Sequence, residues 1–419
     1  MTETIKSPRL GEEYIVVKHP SGLDILLCPM KGFRSVYALF GTEYGSIDTT
    51  FKTSEGPFVT VPAGIAHFLE HKLFEGEDGD AFVKYAKTGA SANAYTSFDK
   101  TCYLFSTTEN FVESLDILLD FVTSPYFTKE TVAKEQGIIG QEISMYDDSP
   151  DWRVFFNMLN ALYHSNPVKI DIAGTADTIA QIDDQILYTC YNTFYNLNNM
   201  ALAIAGNFTV EEVLAAADRH LKKASPLTIE RGVFEEPPTV VRPYIEQHLP
   251  VSLPLFQMGL KLQSLGKTEN LKAQILDEVL IDIISGDASG LFRRLYDGGL
   301  VNSGFAGEVL SGRDYHTVIF SGESKDPEKV CGEIKAEIER FQKDGIDVDA
   351  FSRIKKSTYG RYIRMYSRNE SVAGLMMLCH FVGVTIYELL DIIANLTLNE
   401  LTDRLSVWDV NNSALSVVK

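Results

Sequence analysis

His67, Glu70 and His71 are the residues whose types and spacing could do chemistry. They stand in Pro62-Ala63-Gly64-Ile65-Ala66-His67-Phe68-Leu69-Glu70-His71-Lys72-Leu73-Phe74. On a helix, side chains four apart point the same way, so both imidazoles can reach one metal ion. Glu70 sits beside them, leaving a carboxylate free to handle a water. That donor set suits Zn²⁺. A chance H-x-x-E-H is expected in roughly 1 % of chains of this length, so the triplet needs a third ligand. The competing reading is an amphipathic helix with two solvated histidines.

A catalytic zinc takes three protein ligands and keeps one position open. The run Glu135-Gln136-Gly137-Ile138-Ile139-Gly140-Gln141-Glu142-Ile143 offers two carboxylates seven apart, on nearly one helix face. Glu142 is assigned to the metal. Glu135 is assigned to orienting a histidine or the water.

These residues need elements to hold them. Pro62 suits the first position of a helix, and no breaker follows until Gly76, so about three turns are expected. Thr128 reads as the cap of a long helix running to about Asp147. Residues 14–30 read as a hairpin about His19-Pro20-Ser21-Gly22, and 36–45, 90–97, 101–107 and 200–205 as strands. Residues 79–87, 111–123, 152–163, 178–195 and 210–221 read as helices. Residues 222–243 hold four prolines without a clear period and read as a linker. Beyond it the order recurs: strand 255–262, helix 269–284, strands 303–309 and 315–321, helices 328–341, 350–365, 372–381 and 387–396, and strand 413–418. A duplicated α/β domain follows, with 1–224 bearing the metal motif, 225–243 linking, and 244–419 a second copy without it.

The 419 residues suffice for two or three domains, and 45 % hydrophobic with 23 % charged content is ordinary for a globular protein. No apolar run approaches a membrane span. The first residues have no apolar core for secretion. Five cysteines (Cys28, Cys102, Cys190, Cys331, Cys379), odd in number and without C-x-x-C spacing, argue against a disulfide framework. The expected location is the cytoplasm. A net charge of −19 disfavours nucleic acid as partner. His380 beside Cys379, and Phe155, Phe156, Tyr191 and Tyr195, read as core.

H-x-x-E-H is the inverted zinc-peptidase motif. With Glu142 placed 71 positions after His71, and Glu135 a heptad before it, the chain resembles the pitrilysin/insulinase family of zinc metallopeptidases. That family includes the mitochondrial processing peptidases, and the two-domain layout is similar to their bacterial relatives. Gly89-Ala90-Ser91-Ala92-Asn93-Ala94-Tyr95-Thr96 matches the family segment ending Asn-Ala-Phe-Thr, and Glu142 to Pro150 resembles the sequence after the third ligand. The resemblance covers essentially the whole chain, with specific motifs in the first half and weak ones in the second.

The resemblance implies an α+β fold of two homologous domains, each an antiparallel-rich sheet packed with helices, closing like a clam shell when two chains pair. It implies one Zn²⁺ per chain on His67, His71 and Glu142, with Glu70 and Glu135 as the catalytic carboxylates. Asn93 and Ala94 would grip a peptide added as an extra strand. The expected function is zinc-dependent endopeptidase action on peptides or unfolded segments; the alternative is a mainly structural or peptide-binding subunit. The second half departs from the family pattern. Active members carry an Arg and a Tyr seven apart, which bind the substrate backbone and the oxyanion. Here Leu300 follows Arg293 by seven and Val301 follows Arg294. In some members a homologous partner supplies the pair, so a homodimer or heterodimer is expected. The rival is that Arg293, Arg294 or Tyr296 substitutes.

Overall fold

Met200-Ala201-Leu202-Ala203-Ile204-Ala205-Gly206 carries no polar side chain, and it forms a strand buried along its whole length. Such a run belongs at the centre of a sheet covered on both faces. The computed structural model describes residues 1–53 and 56–419 and places it there. The sheet has seven strands, in the order Thr2–Lys6, Glu13–Lys18, Asp24–Pro29, Met200–Gly206, Val36–Thr42, Thr101–Thr107, Ser91–Thr96. Only the pairing of Met200–Gly206 with Asp24–Pro29 is parallel. Ser91–Thr96 closes the sheet as an edge strand.

A second sheet repeats this plan with five strands: Tyr244–Gln247, Ser413–Val418, Leu255–Leu262, His316–Glu323, Ala306–Ser311. Its one parallel pair, Tyr244–Gln247 with Ser413–Val418, occupies the equivalent place. Five strands thus share one order and one pattern of directions in both sheets. The fold is α+β, in two similar units.

The units are not consecutive halves of the chain. The first comprises Met1–Ile143, Asp171–Val233 and Ile363–Leu389; the second comprises Ser144–Ile170, Phe234–Tyr362 and Leu390–Lys419. The helix Pro150–Leu162, from the first half, packs on Leu255–Leu262 and Ser413–Val418 of the second unit. The helix Asn369–Val382, from the second half, covers Val36–Thr42 and Met200–Gly206 of the first. One of the chain's five passages between the units, Val233–Phe234, falls within the proline-rich 225–243 stretch.

Local differences from the sequence reading have local causes. The expected helix 178–195 is two helices, Ala176–Ile179 and Asp184–Phe194, the second capped by the Asp183 carboxylate on the Ile186 N–H. Gly290–Asp297 is a helix the periodicity did not reveal; Ser289 caps it, accepting from the Phe292 N–H. All five cysteines are buried and free. Among the described residues no single helix is long and apolar enough to cross a membrane.

Candidate metal centre

The first unit builds the site from two helices and the edge strand. The motif helix is Ile65–Leu73. It begins later than Pro62: Gly64 is the N-cap, with φ 91°, and a Cβ there would lie 2.4 Å from the Ala173 carbonyl oxygen. Only glycine combines that conformation with that close approach. Pro62 therefore precedes the helix rather than opening it. The helix is buried on nearly all sides. Even Lys72 is enclosed, its Nζ donating to Glu75 Oε2 at 2.5 Å.

The second helix is Lys129–Asp147. Thr128 caps it as expected, its hydroxyl accepting from the Thr131 N–H at 3.2 Å. Val132, Glu135, Ile139 and Ile143 are its buried positions. Gln136 fixes its rotation, with Nε2 donating to the carbonyl oxygens of Ile179 and Ile182 at 3.2 and 3.0 Å. Nothing in the sequence marked Gln136.

The two helices bring the expected residues together. His67 Nε2 lies 3.7 Å from Glu142 Oε1, and His71 Nε2 lies 3.5 Å from Glu142 Oε2. The ligand-capable atoms of these three residues all fall within 4.8 Å of one another. The imidazole rings are 4.6 Å apart. His71 Nδ1 lies 2.9 Å from Glu135 Oε1, so Glu135 accepts the Nδ1 proton and leaves the Nε2 lone pair facing Glu142. His67 Nδ1 is buried without a hydrogen-bond partner.

Separations of 3.5 and 3.7 Å are long for hydrogen bonds. They suit a shared cation: ligands about 2.0–2.1 Å from a tetrahedral zinc stand about 3.3–3.4 Å apart. Two imidazoles and one carboxylate, with a second carboxylate behind one imidazole, are a donor set that fits zinc. Burial pushes the His67 pKa down to about 4, with neighbouring His71 adding to the effect. His67 is therefore a neutral donor near pH 7. Burial also lowers His71, but the bond to Glu135 and the charges of Glu70, Glu135 and Glu142 outweigh it, and its pKa is raised. Burial raises the Glu70 carboxyl, opposed by a hydrogen bond from Thr96.

Asn93 and Ala94 lie on the edge strand. The Asn93 side-chain oxygen accepts the Ala94 N–H at 2.9 Å. That N–H is thus directed away from the neighbouring strand, toward the open edge. By the alternation of antiparallel ladders, Ala92 and Thr96 also turn their peptide groups to that side, where the Thr96 N–H reaches the Glu70 carboxylate. In the second unit, Arg294 pairs with Glu337 at 2.8 Å, Tyr296 stacks on Phe292, and Arg293 is exposed. His380 lies 3.7 Å from Asp24, and Tyr191 and Tyr195 stack in the core.

Known proteins resemble this chain in sequence and in fold. Residues 61–176 match the family model described as Insulinase (Peptidase family M16), and residues 181–358 match Peptidase M16 inactive domain. A Bacillus subtilis (strain 168) protein named uncharacterized zinc protease YmfH is 36 % identical, over 98 % of this chain and 99 % of that one. The chain belongs to the insulinase/pitrilysin family, peptidase family M16. Other M16 relatives share fold and partial sequence. The crystal structure of an M16-like peptidase from Alicyclobacillus acidocaldarius superposes with TM-score 0.92 at 33 % identity, covering 100 % of this chain and 98 % of that one. Pitrilysin superposes with TM-score 0.75 at 17 % identity, a likeness of fold, and this M16 chain spans 46 % of it. The probable β subunit of the Arabidopsis thaliana mitochondrial-processing peptidase is 26 % identical over 49 % of this chain and 40 % of its own.

Proposed function

We propose that this chain is a zinc-dependent endopeptidase acting on peptides and unfolded polypeptide segments, with a homologous partner subunit completing its site. The observation that carries the reading is the convergence of His67 Nε2, His71 Nε2 and the Glu142 carboxylate within 4.8 Å, with Glu70 on the same helix. His67, His71 and Glu142 hold the ion, and Glu135 fixes His71. When bound, zinc supplies Lewis-acid polarisation of a carbonyl and a lowered pKa for water. Glu70 takes the proton of the attacking water and later returns it to the leaving amine. Its raised pKa brings it nearer to neutrality, as such an exchange requires.

The substrate is an extended peptide that adds to the open edge of Ser91–Thr96. Its main chain replaces the Asn93 side chain as partner of the Ala94 N–H. Because main-chain bonds hold it, selection falls on extended and flexible chains rather than on particular side chains. Leu300 and Val301 supply no oxyanion donor, and one such donor is worth about 10²–10³ in rate. A second, homologous chain provides it, in the cytoplasm, where five free thiols are stable.

Metal content and cleavage of a quenched peptide test this, first with the chain alone, then mixed with any co-encoded homologue. Stoichiometric zinc, with cleavage on mixing that vanishes in Glu70→Gln, supports the proposal. Good activity alone removes the need for a distinct partner. No zinc and no cleavage under either condition refutes the enzyme and leaves the peptide-binding or structural role.

A further inference from the structure

A carboxylate that must move a proton works best when one oxygen is held and the other is left open. Glu70 meets the first condition through a residue that the zinc motif does not contain. Thr96 Oγ1 donates to Glu70 Oε2 at 2.6 Å. Thr96 is the last residue of the edge strand and shares a face with the small residues Ala92 and Ala94. It is itself held in register opposite Thr101. The buried Thr101 hydroxyl lies 3.4 Å from Thr96 Oγ1 and donates to the Tyr44 carbonyl oxygen at 2.9 Å.

We propose that Thr96 is a positioning residue for Glu70, its hydroxyl fixing the carboxylate and reserving Oε1 as the proton-accepting atom. The inference rests on reading Glu70 as the base. As the water oxygen bonds to the scissile carbon, its proton passes to Oε1. Oε2 then becomes the carbonyl oxygen of the neutral acid and still accepts from Thr96. The proton next moves from Oε1 to the amine nitrogen as the C–N bond breaks, and the carboxylate is restored. No proton resides on Thr96 beyond its own. Thr96 also belongs to the strand that a peptide would extend. Seating of the substrate and aiming of the base therefore share one element, which binds and orients together.

The test compares Thr96→Val, which keeps shape and β-branching but not the hydroxyl, with Thr96→Ser, which keeps the hydroxyl. Cleavage is read in whichever composition is active, the chain alone or with its homologue. Losing a hydrogen bond to a charged group should lower kcat about 10–100-fold, with KM within about twofold and zinc content unchanged. Thr96→Ser should stay within about threefold of wild type. If the valine variant loses zinc, Thr96→Ala read against Thr96→Ser makes the same comparison without the added methyl. Undiminished kcat without the hydroxyl, a loss confined to KM, or equal losses in the serine and hydroxyl-free variants overturns the proposal while leaving the peptidase reading intact. A wild type that never cleaves, or a fully active Glu70→Gln, overturns both.

Discussion

Replacing Glu135 with alanine should weaken zinc binding about 10–100-fold, without removing any of the three assigned ligands. Glu135 is 8 % exposed and accepts from His71 Nδ1 at 2.9 Å. That bond selects the tautomer whose Nε2 lone pair faces Glu142, 3.5 Å away. A hydrogen bond to a charged group is worth about 1.5–3 kcal/mol. At about 1.4 kcal/mol per tenfold, that is about 10- to 150-fold in affinity, in agreement with the first figure. One effect opposes it. Glu135 helps raise the His71 pKa, so protons compete for Nε2, and removing the carboxylate relaxes that competition. The offset grows as pH falls, so the assay belongs on the alkaline side, near pH 8. A chelator-competition titration there measures the affinity directly. Glu135→Gln is the milder control, because its amide oxygen can still accept from Nδ1. Wild-type affinity in Glu135→Ala, or a larger loss in Gln than in Ala, would refute the role given to this carboxylate.

Other perturbations test the frame around the site. Gly137 and Gly140 lie within the Lys129–Asp147 helix, where an added Cβ meets nothing within 4 Å. Each glycine-to-alanine change should stabilise the protein by about 0.5–1 kcal/mol, and calorimetry showing an unchanged or lower midpoint would contradict it. In the second unit, buried Asp277 accepts from Arg404 Nε and Nη2 at 2.7 and 2.6 Å, from Trp408 Nε1 at 3.0 Å, and pairs with His316 Nε2 at 2.6 Å. Asp277→Ala strands the Arg404 charge and should cost about 3–5 kcal/mol in urea denaturation; a near-neutral result would show that the network relaxes around the gap. Lys272 and Thr397 hold the Glu400 carboxyl down to about 2 from 4.5. A depressed carboxylate stabilises the fold above its unfolded pKa, so this contribution is complete above pH 4.5 and is lost as pH falls toward 2. Lys272→Met should flatten that part of the stability–pH curve, slightly, since the pair is largely exposed. An unchanged curve would mean that Thr397 alone sets the shift.

The sequence by itself determined the parts of the site that lie within a turn or two of one another. His67, Glu70 and His71 share a helix, and 3.6 residues per turn fixes how their side chains project once that helix forms. Glu135 and Glu142 were placed on one face by the same period. The inner strands of both sheets were legible because runs such as Met200–Gly206 and Leu255–Leu262 are apolar and bounded by turns or prolines, whereas the half-exposed outer strands Thr2–Lys6 and Tyr244–Gln247 were missed. Short elements such as Gly290–Asp297 were missed because eight residues with two buried leucines carry too little period.

Only the tertiary structure decided which distant groups meet. The register of one strand brought Thr96 to Glu70 across 26 positions, and helix packing brought Glu135 to His71 across 64. It also gave each sheet a covering helix from the other half of the chain, which no local pattern can announce. The physical reason is one of range. Periodicity and capping act over a few residues and are written in order along the chain. The pairing of a base with its hydroxyl donor, or of a sheet with its cover, is chosen by burial and hydrogen bonding among elements that the sequence keeps far apart.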